Sequence, residues 1–399
     1  MKKFLCACAL TALFFGAAQA ADSVMLDDCS KNTGWTFNNK PVEFVADGSG
    51  KALKVTVPGN TFRGKLSHVS GNWHLNNMKG ISLEVKGDGS EFYFPLVLNG
   101  FGSNRGWKYT AYVQVKGSDW QTVTIGFDRF TGPSGSVYWD FGMPGTFGAG
   151  SIDGITFGDK WNITHCNRKL AKKSFLVRNI KLVSKVEPYV MKSYPVKKVS
   201  DVIAKMKAGK KVSIICTGDS ITAGTSVKDP DLNRYGVKLQ NKLRKAFNNN
   251  NINVEVVAVG GARTFDLRVW AERDFAGKDV DLVTIMIGYN DKSSQSAPDY
   301  YYGSLSRAVD RILNVADGKP AILLLPPIPG QGARYNMMDD YAETCKKLAR
   351  DRKLEYFEMA PAFKKLPLET FTSYFADMAH PNAAGHEFIA QQIAGYLTR

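Results

Sequence analysis

The chain has 399 residues, 44% of them hydrophobic and 22% charged, with a formal net charge of +15. This is the composition of a globular protein of about two domains. The 37 Gly and 16 Pro form no low-complexity tract, which excludes a collagenous or disordered chain, and no apolar run is long enough for a membrane-spanning helix.

The charge is uneven. Residues 21–200 carry 23 Lys/Arg against 14 Asp/Glu, and residues 201–399 carry 27 against 23. The basic first half suits an acidic polysaccharide or an anionic envelope surface, and nucleic acid is not an expected partner. Plain solubility explains the same charge without any partner.

Residues 1–20 read as a secretory signal peptide. Lys2 and Lys3 open it, an apolar run from Leu5 to Phe15 follows, and Ala18-Gln19-Ala20 is a cleavage site. A periplasmic or extracellular protein is expected. Cleavage leaves Cys29, Cys166, Cys216 and Cys345. In an oxidising compartment Cys29 and Cys166, which bracket the first half, are expected to pair. Cys216 and Cys345 read as small buried residues.

From about Asp22 to Val186 short runs alternate apolar and polar residues, as in residues 52–57, 81–85, 112–115 and 122–125. Period-two alternation between Gly, Asn, Asp and Ser turns predicts an all-β sandwich or jelly roll over residues 22–186. Its last strand, Ser174 to Val183, is expected beside the first. Residues 187–200, with Pro188, Pro195 and several Lys, read as a linker, and a short helix is predicted over Val199 to Lys207.

The period then changes. Five nearly continuous apolar strands are predicted, over Val212–Cys216, Val254–Val259, Asp281–Ile287, Ala321–Leu325 and Leu354–Glu358. Amphipathic helices separate them, with Leu239/Leu243/Phe247, Leu305/Val309/Ile312/Val315 and Phe388/Ile389/Ile393/Leu397 as apolar faces. This predicts a three-layer α/β/α domain over residues 201–399 with a five-stranded parallel sheet. Sites in such sheets form beyond the carboxyl ends of the strands.

Four blocks fall there: Gly218-Asp219-Ser220, Gly260-Gly261, Gly288 to Asp291, and Asp377 to His380. Each has a plain alternative as a helix cap or turn. Together they supply acyl-transfer chemistry. Ser220 is a nucleophile in need of a base. His380, in a loop before the last helix, is the available base, and Asp377 is close enough to orient its imidazole. The N–H groups of Ser220 and of the Gly260-Gly261 turn, with the Asn290 amide, can form an oxyanion hole. Asp219 and Asp291 read as loop ties, and His386 as a helix-face residue.

In this order the four blocks resemble the SGNH/GDSL hydrolase superfamily, over about half the chain. The resemblance implies Ser220 as nucleophile, His380 as base, Asp377 as its orienting acid, and Ser220, Gly261 and Asn290 as oxyanion donors. It implies no metal or cofactor.

Six of the seven tryptophans lie in the first domain. An aromatic-rich jelly roll beside such a domain resembles a carbohydrate-binding module, since aromatic faces stack on sugar rings. Trp107, in a Gly-rich stretch, is the candidate binding residue; Trp120 reads as core. Arg168, Lys169, Lys172 and Lys173 suit either an acidic polymer or a solvated face. The expectation is an exported serine esterase that removes O-acetyl groups from a polysaccharide or glycan. The same triad would serve a carbohydrate O-acetyltransferase, or a lysophospholipase or thioesterase.

Overall fold

Alternation in the first half produces two packed sheets. The structure, a computed structural model, describes residues 22–37, 40–48, 50–56, 62–65, 78–100, 108–131, 152–158, 173–333 and 337–399. The expected signal peptide, Trp107, Cys166, Arg168, Lys169 and Lys172 lie outside the described residues.

The strands are β1 (Ser23–Asp27), β2 (Thr36–Phe37), β3 (Lys40–Pro41), β4 (Phe44–Asp47), β5 (Gly50–Thr56), β6 (Phe62–Lys65), β7 (Gly80–Lys86), β8 (Phe92–Gly100), β9 (Lys108–Val115), β10 (Trp120–Gly126), β11 (Ile152–Phe157) and β12 (Ser174–Val183). One sheet has the order β10-β7-β12-β5-β4, with β1 also paired to β12; the other has the order β3-β2-β6-β11-β8-β9. All the pairings are antiparallel, and Ser23 opposite Val183 sets the last strand beside the first, as expected. Alternate side chains, among them Leu53, Val55, Leu83 and Val85, face Phe94, Leu96 and Val113 of the other sheet and are almost wholly buried. Phe94 meets Phe175 edge-on at 4.9 Å, the geometry that aromatic quadrupoles favour.

The expected Cys29–Cys166 pairing involves Cys166, which lies outside the described residues. Cys29 is fully buried in this core. Burial first, then the charges of Asp27 and Asp28, push its thiol far above its ordinary value. It is packed as an apolar side chain. Cys216 and Cys345 are free and buried, as read from the sequence.

In the second half the predicted strands form one parallel sheet: β13 (Val212–Gly218), β14 (Ile252–Ala258), β15 (Leu282–Met286), β16 (Ala321–Leu325) and β17 (Glu355–Tyr356), in the order β14-β13-β15-β16-β17. Every residue of β15 and β16 is buried, because helices cover both faces. The last strand is only two residues long, at the sheet edge. Helix α1 (Val199–Lys207) has the predicted bounds. Helices α2 (Tyr235–Phe247) and α3 (Ala383–Leu397) pack together, and α4 (Pro298–Val315) packs on Asp339–Arg352 and on the short helix Thr264–Val269.

The segment read as a linker is clamped between the domains. The backbone N–H of Tyr189 donates to Asp128 (2.6 Å) and its hydroxyl to Asn314 (3.0 Å). The guanidinium groups of Arg311 and Arg129 lie 4.3 and 5.5 Å from its ring centre. Both arginines also reach the buried carboxylate of Glu272, at 2.5 and 3.2 Å. A buried carboxylate needs such partners, and here one comes from each domain.

Candidate active site

Strand β13 lies between β14 and β15, so the chain leaves its end at the point where strand order reverses. That is where a crevice opens in a doubly wound sheet. The exit is tight: a side-chain carbon on Gly218 would lie 2.1 Å from the Met286 carbonyl oxygen. The next residue, Asp219, caps the short helix Ser220–Ala223 by accepting from the Ile221 N–H at 3.0 Å. Ser220 thus opens a helix at the rim of the sheet, 9% exposed.

The loop before α3 brings the imidazole to this serine across 160 residues. His380 Nε2 is 2.9 Å from Ser220 Oγ. Its other ring nitrogen, Nδ1, is 2.8 Å from Asp377 Oδ2 and 3.0 Å from Oδ1. Asp377 is itself fixed, because Oδ1 accepts from the backbone N–H groups of Ala379 (2.8 Å) and His380 (2.7 Å). Partial burial pulls its carboxyl upward, but these bonds and the imidazole outweigh burial and hold it below the usual carboxylate value. An ionised carboxylate at Nδ1 leaves the proton there and the Nε2 lone pair facing the serine hydroxyl.

The Gly260-Gly261 turn follows β14 and sits against the nucleophile: a side-chain carbon on Gly260 would come within 3.9 Å of Ser220 Cβ. Gly261 has φ +84°, a conformation that favours glycine. After β15, Asn290 donates one amide hydrogen to the Ala262 carbonyl (2.9 Å), which ties its side chain to this turn. An amide carries two such hydrogens. Asp291 forms a second tie. Its buried carboxylate accepts from Thr264 Oγ1 at 2.7 Å and from the Thr264 N–H at 3.2 and 3.3 Å.

Asp219 and Asp291, both read as loop ties, are 1% and 0% exposed. Burial, opposed by the Ile221 N–H and reinforced by the charge of Asp291, pushes Asp219 up to about 7. Burial pushes Asp291 up to about 6, against the bonds from Thr264. His386 lies inside α3, fully buried, and its Nδ1 accepts from the Tyr235 N–H at 3.2 Å. Burial lowers it to about 4, so it is held neutral.

Two braces escaped the sequence reading. Ser226 Oγ lies 3.4 Å from Asp377 Oδ2. The Gln331 and Gly332 N–H groups both donate to the Met378 carbonyl, at 2.9 and 3.2 Å, and so steady the loop that carries His380. Neither segment has a pattern that marks it. Among the described residues no group of three or more His, Cys, Asp and Glu is placed to hold a metal ion.

The two described tryptophans of the first domain are engaged internally. Trp35 is buried and donates to Asp27 (2.8 Å). Trp120, expected in the core, instead lies half-buried on the outer face of its sheet. There its indole N–H bonds to Asp47 and its ring is covered by the Arg178 guanidinium at 3.9 Å. Lys173 lies near Asp88 at 3.6 Å.

Comparison with known proteins gives a family match in each half of the chain. Residues 216–388 match the GDSL-like Lipase/Acylhydrolase family, and residues 59–138 match the Complex I intermediate-associated protein 30 (CIA30) family. An acetylxylan esterase from Geobacillus stearothermophilus is 24% identical over 208 residues, covering 47% of this chain and 94% of the esterase. The crystal structure of Axe2, an acetylxylan esterase from the same organism, matches with 23% identity over 47% of this chain and 94% of its own, at a TM-score of 0.39. A two-domain esterase (CEX) active on acetylated mannans and co-crystallized with mannopentaose matches with 22% identity over 50% of this chain and 53% of its own, at a TM-score of 0.41. Residues 216–388 form a GDSL-like lipase/acylhydrolase domain, and the chain is an ester-bond hydrolase.

Proposed function

We propose that the chain is an exported serine esterase that removes O-acetyl groups from a polysaccharide or glycan. The observation that carries this reading is the unbroken series Ser220 Oγ, His380 Nε2, His380 Nδ1 and Asp377 Oδ2, with contacts of 2.9 and 2.8 Å. The curated relative that this chain resembles is an acetylxylan esterase, which favours an acetylated sugar over a lipid or thioester.

His380 takes the Ser220 proton as Oγ attacks the acetyl carbonyl. The carbonyl oxygen becomes an oxyanion, held by the N–H groups of Ser220 and Gly261 and the free amide hydrogen of Asn290. His380, stabilised as imidazolium by Asp377, then protonates the departing sugar oxygen. Water, deprotonated by the same imidazole, releases acetate from the acyl-serine. If a sugar hydroxyl replaces that water, the same site is a transferase. Acetate release measured with and without an acceptor glycan separates the two: acetyl transfer exceeding release would overturn the esterase reading.

In this reading the signal peptide delivers the protein outside the cytoplasm, and the β-sandwich holds the polymer. The interdomain bonds of Arg129 and Tyr189 reach Glu272, Arg311 and Asn314, none of them a member of the triad. Tyr301, near the start of α4, bonds the Ile287 carbonyl at the catalytic end of β15 (2.9 Å). Arg311 and Asn314 lie about 15–20 Å further along that helix, at 1.5 Å per residue. The β-sandwich thus serves capture, and catalysis on small esters is expected to be independent of it. A Ser220→Ala protein should bind polymer as the parent does while releasing no acetate. Turnover equal to the parent would remove Ser220 from its role.

A further inference from the structure

With Trp35 and Trp120 both engaged, the described part of the β-sandwich offers a different surface for a ligand. Strands β9 and β10 are terminal strands of opposite sheets, joined by the short turn Lys116–Asp119. Between them runs a groove of about 340 Å³, whose walls include Tyr93, Gln114 and Lys116 on one side and Gln121, Thr122 and Thr124 on the other. That volume lies at the small end of the range for ligand clefts. One bond closes the floor, from the Gln121 amide to the Gln114 carbonyl at 3.1 Å.

The chemistry of the lining is specific. Among the described residues that line the groove none is Asp or Glu. Of the two cations among the described lining residues, Arg129 is already held by Glu272 at 3.2 Å, which leaves Lys116. One lysine is a poor match for a polyanion, which needs several cations in register. The remaining polar residues include two side-chain amides and two threonines, of which Thr124 already donates to Ser82 at 3.2 Å, beside a half-buried tyrosine ring. Amides and hydroxyls both donate and accept, as sugar hydroxyls do, and a tyrosine ring offers an apolar face with a polar tip. The Gln114 amide is held by Glu91 at 2.6 Å, so its orientation is set before any ligand arrives.

The groove also adjoins the catalytic domain. Tyr93 and Tyr112, both in its wall, pack against the hydrophobic core of that domain. We propose that this groove binds a neutral glycan chain and holds it along the flank of the hydrolase domain. The proposal rests on the esterase reading for its ligand class, and it replaces the acidic polymer suggested by net charge with a neutral one.

The test uses the full-length Ser220→Ala protein, which cannot consume its ligand. Its affinity is measured by calorimetry for xylo- and manno-oligosaccharides, with polygalacturonate as the acidic probe. Gln121→Ala and Gln114→Ala should each weaken binding of the neutral chain by about tenfold or more, as expected for loss of a buried hydrogen bond. Thr122→Trp, at an exposed position, should block the groove without disturbing the core. In the Ser220 background the same three changes should leave turnover of p-nitrophenyl acetate unaltered. Unchanged affinity in folded variants, binding of polygalacturonate alone, or no binding of any neutral chain would overturn the proposal. Acetate release by the parent from acetylated glycans is measured separately. Release with unchanged affinity in the variants sinks the groove alone, whereas groove-dependent binding without release sinks the esterase reading alone.

Discussion

The bond between Asp291 and Thr264 joins the two segments that would form the oxyanion hole, so breaking it should damage stability and turnover together. Both residues are fully buried, and the hydroxyl-to-carboxylate contact is 2.7 Å. Thr264→Val keeps the shape of the side chain and removes this bond while leaving the N–H contact. A buried hydrogen bond to a charged group is worth about 1.5–3 kcal/mol, and that is the expected loss. Asp291→Ala removes the acceptor for both the hydroxyl and the N–H, orphaning two buried donors at about 1–3 kcal/mol each. The double variant should cost less than the sum, with a coupling of about 1.5–2.5 kcal/mol. The coupling should be larger at pH 8 than at pH 5, because Asp291 titrates near 6 and is charged only at the higher pH. The Asn290 amide hangs on the adjacent Ala262 carbonyl, so kcat should fall by about 10- to 100-fold in Thr264→Val with KM little changed. Urea unfolding and steady-state hydrolysis of p-nitrophenyl acetate measure both effects. A coupling near zero, or parental kcat in a folded Thr264→Val protein, would refute the brace.

Other expectations are as concrete. Asp377→Asn keeps the loop geometry but loses the charge that orients His380; kcat should drop by about 10²–10⁴, and a change confined to KM would contradict that role. Asp219 has a folded value of about 7 against an ordinary 3.8. Its contribution to stability is full below about 3.8 and is lost as pH rises through about 7. Asp219→Asn should therefore gain stability relative to the parent between pH 4 and 8, by about 2–4 kcal/mol, read from denaturation midpoints at each pH. A constant difference across that range would show that the carboxyl is not perturbed. His386 has the opposite sign: its contribution is present above about 6.5 and is lost as pH falls through about 4, so His386→Gln should flatten the acid limb of the same curve. Arg129→Ala removes the partner that the described part of the β-sandwich gives Glu272. It should speed proteolysis in the segment 187–198 while sparing hydrolysis of small esters; loss of small-ester hydrolysis in the folded variant would make the sandwich a support for the site.

Sequence alone determined much of this protein. Period-two alternation against 3–4 spacing separated a β-sandwich from a parallel α/β domain, because burial on one face or on two leaves different apolar patterns. Those patterns located Ala321–Leu325, Ser174–Val183 and Val199–Lys207 to the residue. The four blocks gave Ser220, His380, Asp377 and Asn290, since only a few residue types perform acyl transfer and they fall at strand ends. Tertiary structure decided what depends on neighbours distant in the chain. Cys29 is packed in the sandwich core, a matter of side-chain direction that sequence spacing cannot encode. Trp120 is covered by Arg178, 58 positions later, through register between strands. Tyr189, in a stretch without any period, is fixed by arginines from both domains. The 2.9 Å approach of His380 to Ser220 spans 160 residues, and only the packing of α3 beside the sheet brings the two into contact.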